Sequence, residues 1–105
     1  MQEHPIHDEI TPSRDGVWLP AAAIASLRDL TARYLDGQHV VDASVDGVAK
    51  AFAAAAHDGA QPPERLLIAV RAVWRDFGFS QSDRLQLASL YDRLIRSAIK
   101  RYYDD

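Results

Sequence analysis

Histidine, serine and carboxylate side chains are the reactive groups open to a chain that contains no cysteine. The missing thiols exclude disulfides, thiolate catalysis and thiolate metal sites. His4 and His7 stand beside Asp8 and Glu9, residue types that ligate zinc. A fixed site needs three or four ligands on a rigid frame. The surrounding run, with Pro5, Pro12 and Arg14-Asp15-Gly16, has no helical or strand period. His39 falls in a predicted loop. His57 falls at a predicted helix end, where a histidine interacts well with the dipole. Phosphotransfer needs an exposed histidine in mid-helix, and His57 is followed at once by Asp58-Gly59. A di-iron bundle needs inward carboxylates and a Glu-x-x-His motif. The glutamates here are Glu3, Glu9 and Glu64, and none makes that motif. Ser44, Ser80 and Ser82 stand where helices start and read as caps. There is no phosphate-cradling glycine loop and no dinucleotide fingerprint. The residues predict a protein that is not an enzyme and uses no metal or cofactor.

Two constellations point to binding instead. Between positions 84 and 101 stand Arg84, Arg93, Arg96, Lys100 and Arg101, against Asp92 alone. On a helix, Arg93, Arg96 and Lys100 share a face opposite the apolar one, where cations contact phosphates. A helix, the Gly78 turn and a second helix resemble a helix-turn-helix. That motif needs a small residue four positions before the turn glycine, and Trp74 stands there. A nucleic-acid regulator using Arg93, Arg96, Lys100 and Arg101 is therefore the alternative reading.

The leading reading comes from apolar residues placed off the core stripes. At about 100° per residue, Ile68 points away from Leu67 and Trp74, with Ala69 and Ala72 beside it. Leu85, Ile99 and Tyr103 fall on a flank of the last helix. Apolar clusters rimmed by charge have the composition of an interface. Ile68, Ala72, Leu85, Ile99 and Tyr103 predict a protein-binding surface, used first for a homodimer through the third and fourth helices. A weaker third reading is a small-ligand sensor with a pocket near Trp18, Phe52 and Trp74.

The elements that must carry these residues are helices. The third is the best defined: Leu67, Val70, Trp74 and Phe77 repeat at helical spacing over the stretch 61–79. Pro62 and Pro63 suit its first turn and Glu64 its positive end. Gly78 fits the left-handed terminating position, with Phe79 folding back on Trp74. The first helix is predicted from Pro20 to Asp36, with Ile24, Leu27, Leu30, Thr31 and Tyr34 on one face and an Asp29–Arg33 pair on the other. The second runs from about Ala43 to His57, capped by Asp42 or Ser44, with Val41, Val45, Val48, Phe52 and Ala55 as its stripe. Gly47 within it costs about 1 kcal/mol relative to alanine. The alanines at 51 and 53–56 let another helix approach closely. The fourth starts at Ser80, with Asp83 in the capping-box position. It runs to Tyr102 with Leu87, Leu90, Tyr91, Leu94, Ile95 and Ala98 inside. At roughly 35 Å it outreaches the others, so its last turns are expected to project.

Short connections between four one-striped helices predict an all-α, up-down-up-down bundle over residues 20–105. Residues 1–19 are expected to form an irregular, partly extended arm whose Trp18 plugs onto the bundle. The chain has 105 residues, enough for one domain with a modest core. It is 48% hydrophobic and carries a net charge of −3. Residues 1–58 carry four basic and nine acidic groups, for −5; residues 59–105 carry eight and six, for +2. Such a split can orient a partner. No apolar run approaches the roughly 20 residues that span a bilayer, and the start lacks a signal peptide's pattern. A cytoplasmic protein without membrane contact is expected. Ten arginines against two lysines, with abundant alanine, point to a GC-rich bacterial genome.

Overall fold

The computed structural model describes residues 18–104. They form four helices: α1 (Ala21–Leu35), α2 (Asp42–Asp58), α3 (Pro63–Asp76) and α4 (Gln81–Tyr103). No strand occurs among the described residues, and no helix is long and apolar enough to cross a membrane. Positions 1–17, most of the expected arm, lie outside the described residues. Trp18 packs against the core, as expected of the residue that docks this segment, and Leu19 is buried beside it.

Each helix begins and ends for a local reason. Pro20 precedes α1, and Gly37 takes a positive φ of 83° just beyond it. Pro62 precedes α3 and Pro63 occupies its first turn, where no amide donor is needed. Gly78 has φ 74°, and its amide donates to the Arg75 carbonyl at 3.1 Å. Phe79 folds back edge-on against Trp74, with ring centroids 5.4 Å apart. The Ser80 hydroxyl accepts the Asp83 amide at 3.1 Å and starts α4.

The start of α2 differs from expectation. Val41, in extended conformation, precedes the helix, and neither Asp42 nor Ser44 makes a capping bond across it. Asp42 gives its carboxylate to Arg93 of α4 instead, at 2.6 Å. Val41 is also not in the core. It is 48% exposed, whereas Val40 is 3% exposed. Residue 41 lies before the first turn, so the helical period that placed it on the Val45 stripe does not apply there.

The core gathers Leu27 and Leu30 from α1, Val45, Val48 and Phe52 from α2, Leu66, Val70 and Val73 from α3, and Leu87, Leu90 and Leu94 from α4. Helices α2 and α4 make the most extensive pairing, while α1 and α3 each touch both. On α2, Asp42, Asp46, Ala49, Ala53 and Ala56 share one ridge at helical spacing. Its three alanines are buried, and such small side chains let the α4 backbone come close. The polar contacts of this pair advance together, Asp42 to Arg93 and Asp46 to Ser97, so the two helices run in the same direction.

The end of α4 does not project. The Tyr102 hydroxyl donates to the Gln61 carbonyl at 2.8 Å. His57 Nε2 donates to the Tyr102 carbonyl at 2.8 Å, and the two rings stack at 4.4 Å with 20° between planes. The last turn is thus held on the far end of α2.

Candidate interaction surface

The carboxylate of Asp46 is the most strongly perturbed acid among the described residues. It sits on the α2 ridge that faces α4. Ser97 Oγ donates to its Oδ1 at 2.8 Å, Arg101 Nε donates to the same oxygen at 2.8 Å, and Arg101 Nη2 donates to Oδ2. The Arg101 guanidinium, and then the Ser97 hydroxyl, hold this carboxyl down at about 2 from an ordinary 3.8. Partial burial opposes that shift, and the charges of Arg101 and Lys100 reinforce it. One helical turn earlier on each helix, Arg93 Nη2 donates to Asp42 Oδ1 at 2.6 Å and to the Val40 carbonyl at 2.9 Å. Arg96 pairs with Asp92 at 3.0 Å on α4 itself.

These contacts occupy part of the expected basic face. Arg93, Arg96 and Arg101, three of the four residues expected to meet phosphates, already hold carboxylates. Lys100 stands beside them, exposed, near the Asp46 carboxylate. Sequence spacing placed Arg93 opposite the core face of α4. The structure instead places it on the flank that α2 covers, because α2 packs closer to α4 than a simple four-cornered arrangement would allow. An open groove of about 460 Å³ follows this seam, lined by Asp42, Asp46, Arg93, Arg96, Lys100 and Arg101 among others. Two carboxylates face four cations along it, and Asp92 pairs with Arg96 at its edge, so a small positive excess remains around Lys100.

The residues expected to form a protein interface are scattered by the fold. Ile68 is 44% exposed, Leu85 74% and Tyr103 67%. Ile99 is half-buried. Ala72 is 1% exposed and drops out of the surface, because α3 buries a wide arc that also includes Leu66, Ala69, Val70 and Val73. Leu85 and Tyr103 stand near opposite ends of α4, about 27 Å apart along its axis. What surrounds Ile68 is charge. Arg65, Arg71 and Arg75 are exposed on the same side of α3.

The rings proposed to line a ligand pocket are filled by protein. Phe52 is fully buried. Trp74 packs against Phe77, Phe79 and Tyr91, with centroids 6.4, 5.4 and 4.9 Å away. Arg28 of α1 lies 4.5 Å over the Phe77 ring and ties α1 to this cluster. A separate open groove of about 710 Å³ lies between α1 and α2, lined largely by alanine with Gly47 and the Asp29–Arg33 pair. Among the described residues, no three His, Asp or Glu side chains converge to hold a metal ion. His4, His7, Asp8 and Glu9 lie outside the described residues.

Comparison with known proteins adds no relative to this geometry. No protein-family model matches the chain, and neither a curated protein nor a solved structure matches it.

Proposed function

We propose that the protein is a non-enzymatic helical interaction module of the cytoplasm, with a regulatory or adaptor role carried by the outer surfaces of α3 and α4. The observation that carries this reading is where the large apolar side chains remain outside. Of the four exposed ones among the described residues, Ile68, Leu85 and Tyr103 lie on α3 and α4, and only Val41 lies elsewhere. The four helices are read as alternating in direction, up-down-up-down, with α2 and α4 parallel and close across the middle. That arrangement leaves the outer sides of α3 and α4 open to a partner.

In its self-associating form, the module pairs with a second copy through Leu85 and Tyr103 of α4. Light scattering on a concentration series tests this form. A dimer that becomes a monomer in a Leu85→Glu, Tyr103→Glu variant supports it. A wild type that stays monomeric throughout the series removes it. The alternative is a small nucleic-acid-binding regulator using the basic face of α4; pairing of Arg93, Arg96 and Arg101 with carboxylates of the same chain counts against it.

A further inference from the structure

The described arginines divide by environment. Arg33, Arg93, Arg96 and Arg101 each hold a carboxylate, and Arg28 lies over an aromatic ring. Arg65, Arg71 and Arg75 meet neither among the described residues, and the same holds for Arg84 on α4. The first three sit within an arc of about 120° on α3, at 100° per residue. All three are exposed. Ile68 falls inside the same arc, 44% exposed. Over about 15 Å, the outer side of α3 reads arginine, isoleucine, arginine, arginine, with Glu64 entering the same arc at the first turn and Asp76 bordering it at the last. Glu64 and Asp76, the acids at the two ends of this helix, pair with none of them.

Resting on the reading of the protein as an interaction module, we infer that this face of α3 binds an acidic amphipathic segment of a different protein. Three guanidiniums that the fold leaves unneutralised select carboxylates, which they bind in bidentate geometry. An apolar centre ringed by charge has the layout of an interface core and its rim, and arginine is enriched among residues that dominate such contacts. A second copy is the wrong occupant. A two-fold contact sets three arginines of one copy against a face that offers a single carboxylate within the arc, Glu64, so most of the guanidiniums would meet guanidiniums. A duplex also fits poorly, because its backbone gives the arginines phosphate but gives Ile68 nothing apolar.

The test uses the full chain and a labelled helical peptide whose glutamates flank a central leucine, read by fluorescence anisotropy. Saturable binding is expected, weakening with added salt. An Arg71→Glu, Arg75→Glu variant should lose about tenfold or more in affinity. The reversed variant should in turn bind a peptide carrying lysine in place of glutamate, a gain that damage to the fold cannot produce. Replacing the peptide's leucine by serine, or Ile68→Ser in the protein, should weaken binding as well. The proposal is overturned by absence of saturable binding, by equal affinity in the charge-reversed variant, or by duplex DNA binding more tightly through the same arginines. If the peptide fails while a Leu85-dependent dimer persists in light scattering, the α3 assignment falls and the module reading stands. If both fail, the module reading falls too.

Discussion

Asp46 shows how far one side chain's chemistry depends on a helix it does not belong to. In sequence it is an unremarkable acid in a predicted helix. In the fold it accepts hydrogen bonds from Ser97 and Arg101, 51 and 55 residues away. Its folded pKa of about 2 lies below the ordinary 3.8, so the folded state favours the ionised form. The stability this contributes is fully present above about pH 4. It is lost as pH falls toward 2, where the carboxyl protonates even in the folded chain. The thermal midpoint of wild type should therefore drop more steeply between pH 4 and 2 than that of Asp46→Asn. At pH 7 the variant should melt lower than wild type. Identical pH profiles would mean that the seam contributes nothing to folding. Tyr102 makes a second test at this scale. Tyr102→Phe keeps the stack on His57 and removes only the hydroxyl that donates to Gln61. The expected cost is about 1 kcal/mol in a urea titration. The histidine pairing was not readable from sequence: His57 announced only a helix end, and its partner lies 45 residues later.

At the scale of elements, two glycines with opposite roles separate backbone need from surface accident. Gly47 lies inside α2, is exposed, and a Cβ built there meets nothing within 4 Å. Gly47→Ala should stabilise the protein by about 0.5–1 kcal/mol, since alanine restricts the unfolded chain and suits a helix. Gly78 has φ 74°, a conformation that side chains with a Cβ resist. Gly78→Ala should destabilise by about 1–2 kcal/mol, although a Cβ there also meets nothing. Chemical denaturation of both variants decides the matter, and a Gly78→Ala as stable as wild type would deny the terminating role of that turn. Helix limits were legible because prolines, glycines and the Ser80 cap act within a few residues of where they stand. The start of α2 was less so. Asp42 was open to two uses, cap or cross-helix pair, and the choice depended on Arg93, which no local rule brings near.

At the scale of the molecule, the side chain that unites the helices is Phe52, fully buried at the heart of the core. Phe52→Ala should cost about 3–5 kcal/mol, a large share of the stability of a domain this size. The loss should appear as one cooperative transition shared by tryptophan fluorescence and far-ultraviolet dichroism. Separate transitions by the two probes would mean that the four helices do not form a single core. Charge at this scale also changes meaning once the helices are assembled. The sequence places its cationic excess in the second half, and the richest cluster lies on α4. Assembly pairs Arg93, Arg96 and Arg101 of α4 with carboxylates and leaves Arg65, Arg71 and Arg75 of α3 outward, together with Arg84 and Lys100 of α4.

What the chain's order alone determined is the set of four helices, their apolar stripes and most of their limits. Those follow from side-chain period and from proline, glycine and serine acting over a turn or two of backbone. Only the tertiary structure decided which flank of each helix a neighbour covers. The close pairing of α2 with α4 drew Arg93 and Arg101 inward and fastened the end of α4 beside His57. A helical period fixes angles around one axis. It carries no information about how two axes approach, which is set by the sizes of facing side chains such as Ala49, Ala53 and Ala56.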